Sequence, residues 1–318
     1  MRAILMMLGL TLGVGSSFAQ DYPSRPIRIL VGFSAGSTTD LLARTLGAKI
    51  KDAWGQPVLV DNRPGAGGIN AASVVASAAP DGYTLLVVSA GHAATAAMFP
   101  KLPYDTLKDF AGVSNIANVP SILVVSPALG VKSVKDLIGL ARSKPGQLNF
   151  SSPGVGSANH LAGELFTNLA GIRAVHVPYK GIPEAMVAVI SESIQFSFSP
   201  VTNVTPLSHD GKLLALATST GKRIASMPDL PTVAEAGVPG YRFDPWYGML
   251  APAKTPKTLL YKLSREVARI VGLADVREKL RALGAEPAPT SPQGFDALVR
   301  VEVAKFSKIV RDADIKPE

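Results

Sequence analysis

Apolar residues follow two alternating patterns along most of the chain. Ile27–Val31 is a short apolar run, and a loop rich in Gly, Ser and Thr follows it. Leu42, Leu46 and Ile50 then recur at helical spacing. A short run bounded by turn residues predicts a β-strand, and apolar residues at this spacing predict an amphipathic helix. The sequence therefore predicts a strand–helix unit in this segment.

The same unit recurs in two series. The first series continues with predicted strands at 58–60 and 83–88 and a small-residue helix at 71–78. The second contains predicted strands at 122–125, 148–150, 174–177, 194–198 and 213–217, a helix at 133–143, and a helix with Leu161, Leu165 and Leu169 on one face. The segment 246–251 is predicted to return the chain to the first series, and Phe295, Val299, Val303, Phe306 and Val310 mark the apolar stripe of a C-terminal helix.

Strands that alternate with helices favour an α/β fold with parallel sheets. A chain of roughly 300 residues exceeds what one hydrophobic core usually serves, so two structural units are expected. We therefore predict two lobes, each a mainly parallel sheet flanked by helices, with a hinge between them. The expected boundaries place residues 20–121 and 246–318 in the first lobe and residues 122–245 in the second.

Residues 1–19 have the pattern of a cleaved signal peptide. Arg2 precedes an apolar run from Ala3 to about Val14, and Ser17-Phe18-Ala19 supplies the small residues of a cleavage site. The run is shorter than the roughly 20 residues that a membrane-spanning helix needs, and a buried core helix is the alternative. The chain has no cysteine, and so neither a disulfide nor a thiol for a lipid anchor. We expect a freely diffusing periplasmic monomer.

Charge and motif spacing argue against several function classes. The net charge of +8 is dispersed, which favours solubility and a mild attraction for anions over nucleic-acid binding. The four histidines, His92, His160, His176 and His209, have no metal-ligand spacing, although His160 and Glu164 are placed to form a local pair. Residues 65–68 lack the spacing of a dinucleotide loop. No metal and no cofactor are predicted.

Two loops of similar character follow predicted strands, one in each lobe. The first contains Phe33, Ser34, Ala35, Gly36, Ser37 and Thr38, and the second contains Ser152, Pro153, Gly154, Val155, Gly156 and Ser157. Each loop opens a helix, whose first amides and dipole favour an anion, and the hydroxyl groups add further donors. Ligands of open α/β sheets bind beyond the carboxyl ends of the strands, so we expect a carboxylate between these loops. Ordinary helix capping would explain the same residue types.

Two features near these loops bear on the site. Ser89 and His92 follow the predicted strand 83–88, and His92 is expected on a loop that faces either the cleft or solvent. Residues 32–36 also fit the G-x-S-x-G pattern, which would make Ser34 a hydrolase nucleophile. No earlier strand is available to supply an oxyanion hole, and the last histidine, His209, lies far from the C-terminus. A serine hydrolase is therefore the weaker alternative.

A series of distinctive sequence blocks runs through the chain. The blocks are the first loop with Asp40, Asp61-Asn62-Arg63-Pro64-Gly65-Ala66-Gly67-Gly68, Pro80-Asp81-Gly82-Tyr83-Thr84-Leu85-Leu86, Leu102-Pro103-Tyr104-Asp105, Lys108-Asp109-Phe110, Val177-Pro178-Tyr179-Lys180-Gly181 and residues 228–237. Their joint order covers nearly the whole exported chain and is very specific. It resembles that of the Bug-type receptors of tripartite tricarboxylate transporters.

The resemblance implies a non-enzymatic, hinge-closing periplasmic binding protein of type II-like fold. By this likeness, residues 34–38 and 152–157 contact the ligand, Tyr179 and Gly181 border the pocket, and residues 62–68 and 228–237 are scaffold. The ligand would be a small di-, tri- or aromatic carboxylate, delivered to the permease subunits of a membrane transporter. A sensor that signals to a membrane partner is the alternative within this reading.

The chain departs from the family pattern at two positions in the expected site. Ala35-Gly36-Ser37 stands where the family usually has Pro-Gly-Gly, which adds a hydroxyl group. Ser199 stands where the family often has an acid after the strand 194–198. A cationic amine on the ligand would lose that partner, which favours a plain or aromatic carboxylate over an amino acid.

Overall fold

The computed structural model describes residues 22–312 as strands and helices in alternation. The strands are β1 (Ile27–Val31), β2 (Val58–Asn62), β3 (Thr84–Ser89), β4 (Phe110–Asn118), β5 (Ser121–Val125), β6 (Leu148–Ser152), β7 (Ala174–Pro178), β8 (Phe196–Pro200), β9 (Leu214–Thr218), β10 (Trp246–Pro252) and β11 (Glu286–Pro287). The helices are α1 (Thr38–Trp54), α2 (Ile69–Ala76), α3 (Gly91–Met98), α4 (Val134–Ser143), α5 (Ala158–Ala170), α6 (Ile182–Ile190), α7 (Val201–His209), α8 (Lys257–Gly272), α9 (Ala274–Ala282) and α10 (Pro292–Asp312). The predicted signal peptide, residues 1–19, lies outside the described residues.

The first sheet has the order β11-β4-β10-β3-β1-β2. β1 pairs in parallel with β2 and β3, as expected for strands joined by helices. Ile27, Ile29, Leu30 and Val31 are fully buried, because β1 is an inner strand with both faces covered. α1 buries Leu42, Leu46 and Ile50 on the face that its sequence pattern predicts.

The second sheet has the order β7-β6-β8-β5-β9, and it repeats the design of the first. β6 pairs in parallel with β7 and β8, so its carboxyl end, like that of β1, opens into a loop and then a helix. In α5, Leu161 and Leu165 are buried as predicted, but Leu169 is 42% exposed and does not share their face of the core.

Both sheets are mixed, whereas the sequence predicted mainly parallel sheets. β10 runs antiparallel to β3 and β4, and β5 runs antiparallel to β8 and β9. These are the strands on which the chain crosses from one sheet to the other. A crossing strand enters its new sheet from the side of the cleft, so it points away from the cleft while the strands of the strand–helix units point toward it.

Two segments connect the sheets. Val119 and Pro120 join β4 to β5, and residues 219–245 join β9 to β10. The Val119 N–H donates to the Pro245 carbonyl, just before β10, at 3.1 Å. We call the sheet with β1 and its helices lobe 1, and the sheet with β6 and its helices lobe 2. Among residues 22–312, no helix is both long enough and apolar enough to cross a membrane.

Candidate functional site

The loops predicted from the sequence face each other across the gap between the lobes. We call residues 33–38, between β1 and α1, the first binding loop, and residues 152–157, at the end of β6 and before α5, the second binding loop. The Ser34 N–H of the first loop donates to the Lys180 carbonyl of lobe 2 at 3.3 Å, and the Ser34 Oγ donates to Glu184 at 2.8 Å. The lobes are therefore in contact along the first loop.

A second set of contacts between the lobes lies at the start of α1. The Thr38 Oγ1 lies 2.8 Å from the Thr202 Oγ1 and donates to Asn203 at 3.0 Å. Asn203 in turn donates to the Gly36 carbonyl at 2.9 Å. Thr38 and Thr202 are buried, so this contact excludes water as the lobes meet.

Two glycines of lobe 1 allow the second binding loop to approach closely. A Cβ atom on Gly67, whose φ is +60°, would lie 2.1 Å from the Val155 carbonyl oxygen. A Cβ atom on Gly91 would lie 2.8 Å from the Ala158 nitrogen. The sequence assigned residues 62–68 to the scaffold and gave no role to Gly91, so these contact positions were missed. The glycine-rich residues 65–68, which lack the spacing of a dinucleotide loop, were the sequence signal that could have indicated a close backbone contact here.

Part of the donor capacity of the first binding loop is used by an internal carboxylate. Asp40 is buried at the start of α1, accepts the Gly36 N–H at 3.0 Å and pairs with Arg44 at 2.9 Å. Burial raises the pKa of Asp40, but hydrogen bonds from Arg44, Gly36 and Asn62 outweigh it and hold the pKa below its ordinary value. The Ser37 Oγ, by contrast, is a buried hydroxyl with no hydrogen-bond partner among residues 22–312.

The second binding loop is held in shape from within lobe 2. Gly154 and Gly156 have φ angles of +125° and +78°, which side chains rarely tolerate. The Gly154 N–H donates to the Ser152 Oγ at 3.1 Å, and the Ser157 Oγ accepts the His160 N–H at 3.2 Å. Ser157 therefore caps α5, so ordinary helix capping explains this residue of the loop, as the alternative interpretation predicted. No acidic residue lies in the first turn of α5.

The wall of lobe 1 behind the first binding loop is largely apolar. A cavity of about 20 Å³, which is room for one water molecule, is lined in part by Phe33, Ser89, His92, Thr95 and Tyr104. His92 belongs to the first turn of α3 rather than to a loop, and it is buried, not in solvent. Its Nε2 has no hydrogen-bond partner in the part of the chain that the structure describes, and complete burial lowers the pKa of the imidazole to about 4. The ring is therefore neutral at physiological pH.

The other predicted site residues are distributed around these features. Ala35 is exposed on the first loop, Pro153 is buried in the second loop, and the Tyr179 N–H donates to the Ser152 carbonyl at 2.9 Å. Gly181 is buried against Ser34, since an added Cβ atom would lie 1.9 Å from the Ser34 Oγ. Ser199 is fully buried in β8, where its hydroxyl lies 3.1 Å from that of Ser197.

Neither hydrolase nor metal chemistry gains support from this geometry. The Ser34 hydroxyl donates to the Glu184 carboxylate, so its described partner is not an imidazole base. His160 and Glu164 form the expected pair at 3.4 Å, and the His176 ring stacks on His160. The sequence did not predict that stack. Within residues 22–312, no group of three or more His, Asp or Glu side chains is arranged to hold a metal ion.

Two mixed sheets joined by crossing strands, with helix-opening loops facing each other, define the class of two-lobed periplasmic binding proteins. The chain belongs to the tripartite tricarboxylate transporter receptor family, whose model matches residues 42–315. The family resemblance inferred from the sequence blocks is thereby confirmed.

Solved structures of similar proteins have the same fold. A protein of R. palustris with adipate is 37% identical with a TM-score of 0.90, over 94% of this chain and 100% of that one. The periplasmic binding protein BugD is 29% identical with a TM-score of 0.89, over 93% and 100%. MatC from Rhodopseudomonas palustris, with bound malate, is 33% identical with a TM-score of 0.86, over 91% and 100%.

Proposed function

We propose that this protein is an exported receptor that encloses a small organic carboxylate between its two binding loops and delivers it to a tripartite tricarboxylate-type permease. Residues 1–19 would direct its export and be removed, and the mature protein would act as a diffusing monomer. Residues 20–121 and 246–318 would move as one lobe and residues 122–245 as the other. Family membership supports the receptor role, and the neighbouring structures support a carboxylate ligand, since they contain adipate and malate.

The observation that carries the proposal is the pair of helix-opening loops that meet across the lobes. The backbone of the second loop adopts left-handed conformations at Gly154 and Gly156, and the Gly156 N–H donates to His160 in the first turn of α5. Among residues 22–312, the Val155 N–H has no hydrogen-bond acceptor within the protein. An amide at a helix N-terminus, in a loop without a nearby acid, is suited to a carboxylate.

The size of the site implies that ligand binding and lobe movement are coupled. The cavity of about 20 Å³ behind Phe33 cannot hold a six-carbon diacid, because water-sized space is all that remains when the loops touch. The ligand must therefore enter while the lobes are apart. Closure then brings the donors of both loops onto one ligand, which neither lobe achieves alone.

The uncharged side chains in the wall of lobe 1 favour an apolar group on the part of the ligand that lies against them. His92 is uncharged, and Phe33 and Tyr104 surround the same small cavity. The part of the ligand that packs against this wall would therefore be apolar or aromatic, while a carboxylate lies on the second loop. A ligand with an ammonium group would lack an acidic partner at position 199, where this chain has Ser199 instead of the acid that the family often has.

A thermal-shift screen of di-, tri- and aromatic carboxylates tests the proposal, with titration calorimetry on the compounds that raise the melting temperature. A ligand that binds only the folded state stabilises it by mass action. Amino acids and a neutral ester of the best acid serve as controls. Binding of the ester as tightly as the acid, or hydrolysis of the ester, would contradict a carboxylate receptor.

A further inference from the structure

Two histidines of lobe 2, the buried His160 and the partly buried His176, contact the second binding loop near its two ends. The His176 Nε2 lies 2.7 Å from the Ser152 Oγ, and the Gly156 N–H donates to the His160 Nδ1 at 3.3 Å. The rings stack with centroids 3.8 Å apart and an interplanar angle of 23°. The second binding loop is thus hydrogen-bonded to two stacked imidazole rings, which lie behind it in lobe 2.

The hydrogen bond from Gly156 fixes the protonation state of His160. An amide N–H can donate only to a nitrogen that carries no proton, so Nδ1 must be bare and the proton must be on Nε2. Nε2 faces Glu164, whose carboxylate oxygen lies 3.4 Å away. A second proton could be added only at Nδ1, where it would replace the acceptor of the Gly156 N–H by a donor.

His176 is held in the neutral form by its surroundings. Burial, with a smaller contribution from His160, lowers the pKa of His176 to about 3. Its Nδ1 is buried with no hydrogen-bond partner among the described residues, while its Nε2 lies within hydrogen-bond distance of the Ser152 Oγ. His176 is therefore neutral at physiological pH.

Few other charges face the histidine pair. On its own helix His160 faces Glu164, and β7 contributes His176. The strands β6 and β8 bring no acidic or basic side chain, and the titratable residue of α3, His92, packs against Tyr104 and Phe110 instead. Tyr241 donates to the carbonyl of Ala162 on α5, and burial raises its pKa well above 10.

We propose that His160 and His176 are positioning residues for the ligand, because only the neutral pair holds the second binding loop in its anion-binding shape. Neither residue needs to touch the ligand. Protonation of His160 would release Gly156, turn its N–H away from α5 and weaken carboxylate binding as the pH falls. The inference rests on the proposed function only in its last step, since the coupling between His160 and Gly156 exists without a ligand.

The first test uses the unmodified protein and no ligand. In ¹⁵N-labelled protein, nuclear magnetic resonance should show His160 with its proton on Nε2, and the Gly156 amide resonance should titrate with the same midpoint as the His160 ring. Gly130, a left-handed glycine with open space around it, is the control amide and should not follow that midpoint. Glu164→Gln, which removes the facing charge, should move both midpoints to lower pH together. A Gly156 amide that does not titrate with His160 would overturn the inference.

The second test uses variants and measures binding. In His160→Asn, the side-chain oxygen can take the place of Nδ1 as an acceptor that does not titrate, whereas His160→Leu removes the acceptor. Calorimetry from pH 5.5 to pH 8, with adipate, malate and the best acid of the screen, should give a smaller pH dependence of affinity in His160→Asn than in the unmodified protein. His160→Leu should bind about tenfold more weakly than the unmodified protein at pH 8, on the scale of one lost hydrogen bond, and the difference should shrink as the pH falls.

The outcomes separate this inference from the proposed function. Equal affinity and equal pH dependence in the unmodified protein and in the folded Asn variant would refute the positioning role, even if carboxylates bind. Coupled titration of His160 and Gly156 in a protein that binds none of the acids would confirm the coupling and refute the receptor proposal. If His160→Leu fails to fold, the Asn variant and the unmodified protein still decide the question.

Discussion

Gly67→Ala should prevent full closure of the lobes while leaving each lobe folded. The added methyl group would lie 2.1 Å from the Val155 carbonyl oxygen, which belongs to the other lobe. Ordinary contacts of a Cβ atom begin at 3.4 Å, so the lobes would have to stay more than 1 Å further apart at this point. The atom that blocks closure is backbone, and it cannot move aside as a flexible side chain would.

The effect on stability and the effect on binding have different sizes. A non-glycine residue in the left-handed region costs about 1 to 2 kcal/mol of folding stability. Closure is expected to complete about two charge-assisted hydrogen bonds to the carboxylate, each contributing about 1.5 to 3 kcal/mol. Their loss would weaken binding by about 3 to 6 kcal/mol, which is at least a hundredfold in Kd.

Gly55→Ala is the matched control for this prediction. Gly55 also has a left-handed φ, +70°, and also lies in lobe 1, but nothing lies within 4 Å of an added Cβ atom. Both variants should lose similar stability in urea unfolding, whereas only Gly67→Ala should lose affinity in calorimetry and keep a large radius of gyration in X-ray scattering with saturating ligand. If the two variants bind and compact equally, the closing role of Gly67 is wrong.

Three further predictions concern stability and processing. Burial lowers the pKa of His92 from 6.5 to about 4 in the folded protein, so as the pH falls the unfolded state takes up the imidazole proton before the folded state does. Proton uptake by the unfolded state should lower the free energy of unfolding by about 3 kcal/mol between pH 6.5 and pH 4. Urea unfolding against pH would show this, and His92→Gln should flatten the curve. Ser157→Ala removes a helix cap and should lower unfolding free energy by about 1 kcal/mol, a loss that Thr at this position should largely avoid. Intact mass of periplasmic material should correspond to a chain beginning at Gln20, and retention of Met1 would contradict export by cleavage.

Local patterns were enough to predict most of the fold. β1, α1, β6 and the stripe of α10 follow directly from apolar spacing, because each element buries one face or one stripe. The two binding loops could be found because each lies between a strand and a helix and contains small, hydroxyl-rich residues. β4 was missed, since its run Phe110–Asn118 mixes Gly, Ser and Asn with apolar residues and has no clean alternation.

Features that depend on contacts between distant segments could not be predicted. Nothing near Gly67 in the sequence indicates that it meets Val155 in the other lobe. The stack of His160 on His176 joins residues on α5 and β7, and its effect on the loop appears only when both hydrogen bonds are seen together. The mixed character of the sheets likewise comes from the crossing strands, whose direction the local pattern leaves open.

The two binding loops differ electrically, although their sequences look alike. In the first loop, the Asp40 carboxylate already accepts the Gly36 N–H, and its negative charge offsets the positive end of the α1 dipole. The second loop opens a helix with no acid in its first turn, and the imidazoles of His160 and His176 support it from behind. A ligand carboxylate is therefore repelled less at the second loop. We therefore expect the ligand to bind lobe 2 first, and lobe 1 to close over it with backbone contacts at Gly67 and with the hydroxyl of Ser37.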